Sequence, residues 1–197
     1  MTIDGTARIV GIGGTTRPGS STEKALQYTL SVCQEEGAAV TCFTARELAN
    51  LPHYAPEEPD RSETALRLLE EFRRADGIII ASPGYHGGIS GLLKNALDYT
   101  EDLRDDPRPY FTGMPVGCIA TGMGWQGVVS TVQALRDVVH ALRGWPTPMG
   151  AALNTAGKCF GENGEPLEEK VRFQLATVAN EVMSFTAWRG AGLPATS

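Results

Sequence analysis

Residues 11–22 carry the sequence Gly-Ile-Gly-Gly-Thr-Thr-Arg-Pro-Gly-Ser-Ser-Thr, and the organisation of the chain follows from where this stretch lies. A short apolar run at residues 7–10 comes before it and predicts a buried strand. Residues 23–30 come after it, with the apolar spacing of an amphipathic helix. The stretch is therefore predicted to be a loop, rich in glycine and hydroxyl groups, that connects a strand to a helix.

The composition of this loop suits a phosphate group. Glycines let the backbone approach an anion closely, and the first amides of a helix point towards it. Arg17 can add a charge-assisted hydrogen bond. An ordinary polar turn that ends in a helix cap explains the same residues, with three candidates for the cap: Ser20, Ser21 and Thr22. The loop residues alone leave both interpretations open.

Two common nucleotide-binding motifs are excluded. No Gly-Lys-Ser/Thr sequence follows the loop, so it is not a Walker loop. Gly11, Gly13 and Gly14 do not complete a dinucleotide-binding fingerprint, because Thr16 occupies the position of its last glycine. Hydroxyl groups in place of glycines favour a terminal phosphate monoester over a bridging pyrophosphate.

The 197-residue chain has the length and composition of one soluble domain, predicted over residues 1–189 with a flexible tail at residues 190–197. A net charge of −6 without a basic block argues against nucleic acid and anionic membranes as partners. With no signal peptide and no membrane-spanning apolar run, a cytoplasmic location is expected. The four cysteines form no Cys-x-x-Cys pair, which argues against a zinc or redox site, and Cys42 and Cys118 are expected to be reduced core residues.

Apolar runs and helical periodicities alternate along the chain. Strands are predicted at residues 7–10, 38–44, 78–81, 115–120 and 147–153. Helices are predicted from residue 23, at residues 62–75, 92–99 and 128–142, and from Pro166 onward, with a loop at residues 46–60. This alternation predicts an α/β fold with helices on both faces of a parallel sheet. Five strands match the flavodoxin-like doubly wound sheet of order 2-1-3-4-5, whose ligands lie beyond the carboxyl ends of the strands.

The loop after the third strand, residues 82–90, has a composition suited to a planar ring. Pro83 stiffens this loop, its glycines expose backbone amides, and Tyr85 and His86 supply flat side chains. A surface loop with incidental aromatic residues explains the same composition. His86 could equally be a loop residue that makes hydrogen bonds and takes no part in chemistry.

This loop and the helix after it contain Ser-Pro-x-Tyr-x-Gly, then Ser-Gly-x-Leu-Lys-Asn-Ala-Leu-Asp-Tyr, a pattern that resembles the NADPH-dependent FMN reductase family. Residues 14–20 are similar to that family's Gly-Ser-x-Arg-x-x-Ser loop, with threonine in place of the first serine. The resemblance extends over about residues 9–183 and implies a flavodoxin-like fold that binds FMN. The residues that it assigns to FMN are Thr15, Arg17, Ser20, Ser21 and Thr22 at the phosphate, Pro83, Gly84, Tyr85, His86 and Gly87 at the ring and ribityl chain, and Thr121, Gly122 and Gly124 at the pyrimidine side.

Four further features receive an interpretation from the sequence. Trp125 either stacks near the flavin, closes the substrate pocket, or anchors a loop or an interface. Residues 102–106 are expected to form a solvated loop, with an effect on a neighbouring subunit's pocket as the alternative. Trp145 is expected in the core or an interface. The third helix, which in this family packs into a dimer, is expected to use three polar residues for ion pairs or caps: Lys94, Asn95 and Asp98. The resemblance implies a homodimer or homotetramer.

The resemblance also implies the activity of an NAD(P)H-dependent FMN reductase. Hydride transfer from NAD(P)H to FMN needs no acid or base from the protein, and the backbone amide of His86 or Gly87 is expected beside the flavin N5 atom. The electrons would pass on to free flavin or to a partner monooxygenase. A quinone, azo, nitro or metal-oxyanion reductase is the alternative. A flavodoxin-type electron carrier fits less well, because the phosphate loop carries Arg17.

Overall fold

The computed structural model describes residues 6–190 and contains a five-stranded parallel sheet of order β2-β1-β3-β4-β5. The strands are β1 (Arg8–Gly13), β2 (Ala39–Thr44), β3 (Gly77–Pro83), β4 (Pro115–Gly122) and β5 (Trp145–Asn154). β1 pairs with both β2 and β3, so the direction of chain progression reverses beside β1. Such a reversal is where doubly wound folds bind ligands. The predicted fold and strand order are confirmed.

Helices cover both faces of the sheet. The α-helices of the described residues are α1 (Ser21–Glu35), α2 (Ala45–Leu48), α3 (Glu63–Arg74), α4 (Gly91–Asp98), α5 (Trp125–Ala141) and α6 (Glu169–Gly190), and a 3₁₀ turn (Tyr99–Leu103) extends α4. α1 and α6 pack in one hydrophobic core, and α3, α4 and α5 pack in the other. The prediction of helices on both sides is therefore confirmed.

β3 is the centre of both cores, and all of its residues are buried. Ile78 and Ile80 belong to one core, whereas Ile79 and Ala81 belong to the other. This division follows from the alternation of side chains across a strand. Because β3 is apolar on both faces, neither face can be left to solvent, and helices must cover both.

Four parts of the chain differ clearly from the predicted elements, and one of them is α5, which begins at Trp125 rather than at residue 128. β1 continues to Gly13, three residues beyond the predicted end, because it pairs with a neighbour on each side. The predicted loop at residues 46–60 overlaps the short helix α2, which begins after a capping box formed by Thr44 and Glu47. The last helix begins at Glu169 rather than Pro166, because Pro166 is held in an isolated bridge with Phe160.

The spacing of apolar residues in α3 predicts one buried stripe of Ala65, Leu66, Leu69 and Phe72, and the structure corrects this prediction at Leu66. Leu66 is 56% exposed, and Leu68 is fully buried instead. The buried residues Ala65, Leu68, Leu69 and Phe72 follow the i, i+3, i+4, i+7 spacing of one helix face. Leu66 falls outside this spacing, so the face that contacts the sheet excludes it.

Ion pairs attach the segment after α4 to the domain. The prediction that residues 102–106 form a solvated loop is therefore wrong for two of their carboxylates, which are paired. Asp102 accepts hydrogen bonds from Nε and Nη2 of Arg61 at 2.6 and 2.9 Å. The Arg61 guanidinium lowers the pKa of Asp102 below its usual value. Asp106 accepts a hydrogen bond from Nε of Arg73 at 2.8 Å. The charge of this segment therefore serves to hold it in place.

Arg108 attaches the same segment to the end of α3. Its guanidinium donates hydrogen bonds to the carbonyl oxygens of Phe72, Arg73 and Ala75 at 2.8, 2.7 and 2.8 Å. The last carbonyls of a helix lack partners within the helix, and a cation there is favoured by the helix dipole. The long connection between α4 and β4 is thus part of the packed domain.

Polar residues of α4 form the predicted local contacts. Lys94 and Asp98 make an i, i+4 ion pair at 2.5 Å, which confirms the predicted pairing on this helix. Asn95 accepts a hydrogen bond from the Tyr54 amide at 2.8 Å and donates one to the Pro52 carbonyl at 2.9 Å. Asn95 therefore holds the loop after α2 against α4.

Trp145 is not a core residue, so that part of its prediction is wrong. It is 58% exposed, and its ring centroid lies 5.4 Å from that of Phe185. Phe185 in turn contacts Trp188 at the same centroid distance of 5.4 Å. Trp145 begins the edge strand β5, so its outer face has no neighbouring strand to cover it. An interface role for Trp145 stays a prediction.

The cysteines are all free thiols, as expected for Cys42 and Cys118; Cys118 lies in the core as predicted, whereas Cys42 is only partly buried. Burial raises the pKa of Cys118 to about 12, and burial together with nearby carboxylates raises that of Cys42 to about 11. These thiols are therefore protonated at neutral pH. No described helix is long and apolar enough to cross a membrane. Gly190 ends α6, and the rest of the predicted tail, residues 191–197, lies outside the described residues.

Gly13→Ala is expected to lower the free energy of unfolding by about 3–5 kcal/mol. Gly13 has φ of +140°, and an added Cβ would lie 2.0 Å from the Ala81 carbonyl oxygen of the adjacent strand. Gly19→Ala is the control, because Gly19 has φ of +67° with open space around it, and strain alone costs about 1–2 kcal/mol. Urea denaturation measures both. Equal losses would contradict the close strand contact.

Candidate functional site

A cavity of about 480 Å³ opens at the carboxyl edge of the sheet, between the loops that follow β1, β3 and β4. Its lining consists of Thr15, Thr16, Arg17, Ser20, Ser21, Thr22, Pro83, Gly84, Tyr85, Thr121, Gly122, Met123 and Thr155. A smaller cavity of about 140 Å³ adjoins it beside Tyr85 and the start of α4. Sites for small molecules commonly have about 300–1,000 Å³, so the larger cavity has the size of a ligand site.

The first loop, residues 14–20, has its shape fixed by side-chain hydrogen bonds. The hydroxyl of Thr15 accepts a hydrogen bond from the Arg17 amide at 3.2 Å. Ser20 is the N-cap of α1, because its hydroxyl oxygen accepts from the Glu23 amide at 3.2 Å. Glu23 in return accepts from the Gly19 amide at 2.9 Å. This geometry selects Ser20 among the three candidate caps and leaves its hydroxyl hydrogen for another acceptor.

The end of this loop presents hydrogen-bond donors to the cavity. Ser21 and Thr22 are the first residues of α1, whose amides have no partner within the helix. Arg17 is exposed, and no carboxylate of the described residues lies within 4.0 Å of its guanidinium. Helix amides, hydroxyl groups and an unpaired cation together form an environment that favours an anion.

The second loop, residues 84–90, is held at both ends by a buried serine. Ser82 accepts a hydrogen bond from the Ser90 amide at 2.9 Å and donates one to the Pro83 carbonyl at 2.9 Å. Gly84 is required for close packing, because an added Cβ would lie 2.7 Å from the Thr131 hydroxyl. The cavity wall formed by this loop is therefore a fixed surface.

A tight turn forms the tip of the second loop. Tyr85 and Gly88 exchange two backbone hydrogen bonds, of 3.1 and 3.0 Å. His86 and Gly87 between them have φ of 52° and 83°, as in a type I′ turn. Among the described residues, neither central amide has a hydrogen-bond partner. Both amides are therefore free to donate a hydrogen bond to solvent or to a ligand.

The third loop, which joins β4 to α5 at residues 123–124, is connected to the other two through Thr121 of β4. The Thr121 hydroxyl lies 2.6 Å from that of Thr22, and both residues are buried. The Thr121 carbonyl accepts a hydrogen bond from the Gly84 amide at 2.7 Å. The Gly122 carbonyl accepts from the Thr155 amide, also at 2.7 Å. One residue of β4 thus fixes the first and second loops relative to each other.

The cavity brings together ten of the thirteen residues that the sequence analysis assigned to a ligand: Thr15, Arg17, Ser20, Ser21, Thr22, Pro83, Gly84, Tyr85, Thr121 and Gly122. Three others are not among the lining residues. His86 and Gly87 occupy the exposed tip of the turn, and Gly124 is the N-cap of α5. A contact between these three residues and a ligand stays a prediction.

Three lining residues were not assigned from the sequence. Thr16 and Met123 lie beside residues that the family resemblance had assigned to FMN, so those neighbours were the available signal. Thr155 follows β5, and no motif marks it. Its position depends on the pairing of β4 with β5, which brings Asn154 beside Gly122.

The charge and polarity of the cavity lining favour an anion. Within the described residues, no group of three or more His, Cys, Asp or Glu side chains is placed to hold a metal ion. The lining residues include no carboxylate, and Arg17 is their one charged side chain. The cavity is therefore a cationic, hydroxyl-rich site beside aromatic and glycine surfaces.

Known proteins are similar in sequence to most of this chain. The family model of the NADPH-dependent FMN reductases matches residues 7–158. An NAD(P)H-dependent FMN reductase of Pseudomonas aeruginosa is 27% identical over 168 residues, which cover 84% of this chain and 87% of that protein. An FMN-dependent NADPH-azoreductase of Staphylococcus aureus is 34% identical over 122 residues, which cover 60% of each chain.

Solved structures share the fold. The flavoenzyme NAD(P)H:(acceptor) oxidoreductase FerB of Paracoccus denitrificans superimposes with a TM-score of 0.75 at 21% identity, covering 94% of this chain and 98% of that one. An apo NADH:FMN oxidoreductase superimposes with a TM-score of 0.68, also at 21% identity, covering 97% and 92%. With the match of the family model over most of the chain, these findings identify an oxidoreductase that uses FMN and NAD(P)H: the chain belongs to the NADPH-dependent FMN reductase family.

Proposed function

We propose that the chain binds FMN in the cavity of about 480 Å³ and transfers hydride to it from NAD(P)H. The observation that carries this proposal is the convergence of three loops on one cavity. The first loop offers anion-binding groups, whereas the second and third offer flat, glycine-rich walls. FMN has the same two parts, a planar ring and a terminal phosphate at the end of its ribityl chain.

The residues present fit FMN. Two unpaired helix amides, the Ser20 hydroxyl and the Arg17 guanidinium suit a phosphate monoester. Gly84 and Gly122 let the walls of the cavity pack closely on α5, because an added Cβ would meet the Thr131 hydroxyl at 2.7 Å and Val128 at 3.0 Å. Without a carboxylate in the lining, no group of the cavity wall repels the phosphate.

The chain contributes binding and orientation to the reaction. FMN, when bound, supplies the hydride-accepting chemistry. Arg17 and the start of α1 bind the phosphate end. The hydrogen bond between the Thr22 and Thr121 hydroxyls holds the start of α1 in position relative to β4. The free amides of His86 and Gly87 offer donors to the edge of the ring, and Tyr85 covers one side of the cavity. No acid or base of the protein is needed for this step.

The proposed electron acceptor is free flavin or a partner monooxygenase. The proposed oligomeric state is a homodimer or homotetramer, and the proposed location is the cytoplasm. A quinone, azo, nitro or metal-oxyanion reductase is the second candidate, supported by the similarity to an azoreductase of Staphylococcus aureus. Following NADPH oxidation with FMN, menadione or an azo dye as acceptor distinguishes these activities. A preference for the dye by more than about tenfold in kcat/KM would favour the second candidate.

Arg17→Ala is expected to weaken FMN binding by about 1.5–3 kcal/mol, because it removes a charge-assisted contact with phosphate. Riboflavin lacks the phosphate, so its affinity is expected to change little. Quenching of flavin fluorescence measures both affinities. Arg74→Met is the matched control, because Arg74 ends α3 at the opposite edge of the sheet. Equal FMN affinity of Arg17→Ala and the parent would place the phosphate elsewhere.

His86→Asn is expected to keep the rate of flavin reduction within roughly tenfold, because a positioned acid or base normally contributes about 10²–10⁴-fold. Asparagine tolerates the positive φ of 52° at this position, so the turn is retained. Anaerobic stopped-flow bleaching at saturating NADPH and FMN measures the rate. A thousandfold drop with FMN still bound would make His86 a chemical participant.

An oligomer is expected in dilute solution. The apolar third helix of the sequence analysis, α4, directly follows the second loop, so a subunit contact there would border the cavity. Light scattering at micromolar concentration is expected to give two or four times the chain mass of 21.0 kDa. A mass near that of one chain would refute this expectation.

A further inference from the structure

Exposed apolar side chains stand at and beside the mouth of the cavity. Tyr85 and Met123 line the cavity and are 55% and 81% exposed. Trp125 follows two residues after Met123 as the first residue of α5, and it is 53% exposed. Val129, one helical turn further, is 57% exposed. The FMN site proposed above uses neither Trp125 nor Val129, so this surface is available to a second ligand.

Lys170 gives this surface a positive charge. Its ammonium lies 5.1 Å from the ring centroid of Trp125, a cation–π contact that orients both side chains. No carboxylate of the described residues lies within 4.0 Å of this ammonium. The Lys170 charge is therefore available to an anion, and more than half of the Trp125 surface stays in solvent.

Topology places both residues at the edge of the sheet where the cavity opens. Helices of this parallel fold begin at the carboxyl edge of the sheet and end at the opposite edge. Trp125 begins α5, and Lys170 is the second residue of α6. The cavity opens at the same edge, with Thr155 of its lining lying between β5 and α6. Trp188, near the end of α6, lies at the opposite edge.

We propose that Trp125 and Lys170 form a clamp for the second, transient substrate, and that this clamp selects a planar aromatic group carrying negative charge. The indole ring provides a stacking surface, and the ammonium pairs with a phosphate or sulfonate. This inference rests on the proposed function. Two sources offer the required chemistry: the adenosine phosphate portion of NAD(P)H and an anionic aromatic electron acceptor.

The test uses equilibrium binding to the FMN-loaded 197-residue protein, because binding without NADPH involves no turnover. Adenosine 2′,5′-bisphosphate probes the nucleotide source, and anthraquinone-2-sulfonate probes the acceptor source. Isothermal titration calorimetry compares the parent with Trp125→Ala and Lys170→Met. The matched controls are Trp188→Ala, with a tryptophan 52% exposed, and Arg74→Met, both at the opposite edge.

We expect each clamp variant to bind at least one probe about fivefold more weakly, in line with base–aromatic stacking and cation–π contacts. FMN affinity and the control variants should stay within about twofold of the parent. Weaker binding of the bisphosphate assigns the clamp to NADPH, and weaker binding of the sulfonate assigns it to the acceptor.

Unchanged affinity of both clamp variants for both probes overturns the inference, as does equal weakening in the controls or a parent that binds neither probe. Failure of the proposed function has a different signature. In that case the parent would not oxidise NADPH in the presence of FMN, whatever the titrations show. In turnover, a clamp role predicts an increase in KM for the affected substrate with kcat within about twofold.

Discussion

The close parallel contact of β1 with β3 at their carboxyl ends is the constraint on which the site depends. Gly13 lies beside Ala81 in the strand register, and the Gly14 amide donates a hydrogen bond to the Ala81 carbonyl at 3.2 Å. A side chain at Gly13 would collide with that carbonyl. Because the strands meet so closely, the two loops that leave them enter the same cavity from adjacent positions.

The loops are then joined by polar groups that are buried and paired. The Thr22–Thr121 hydroxyl contact connects α1 with β4, and Ser82 closes the ends of the second loop. Buried hydroxyl groups without partners would be costly, so these contacts favour one arrangement of the loops. Among the described residues, the first amides of α1 and the Arg17 guanidinium stay unpaired, and they belong to residues that line the cavity. The paired hydroxyl groups thus stabilise the loops, whereas the unpaired donors are free to bind a ligand.

The sequence predicted the fold and most of the cavity lining because those features depend on local patterns. The apolar run at residues 78–81 and the alternation of strands and helices determine the doubly wound sheet. Loop composition and motif resemblance located the first and second loops. Leu66 was misplaced because a helix with leucines at residues 66, 68 and 69 offers more than one apolar stripe, and only contact with the sheet selects between them.

Long-range contacts explain the remaining differences. Asp102 pairs with Arg61, which lies 41 residues earlier in the chain, and no local sequence pattern predicts this pairing. Thr155 reaches the cavity only through the pairing of β5 with β4. Lys170 meets Trp125 because α5 and α6 begin at the same edge of the sheet, although the helices cover opposite faces. In each case the residue type is visible in the sequence, but the contact depends on how the fold brings distant residues together.

The central claim is that FMN lies in the cavity between the three loops, with its phosphate at the start of α1. Amide hydrogen exchange of the protein with and without FMN tests this claim most directly. The account predicts slower exchange confined to residues 14–23, 84–88 and 121–126. Slower exchange elsewhere, with these three segments unchanged, would contradict it.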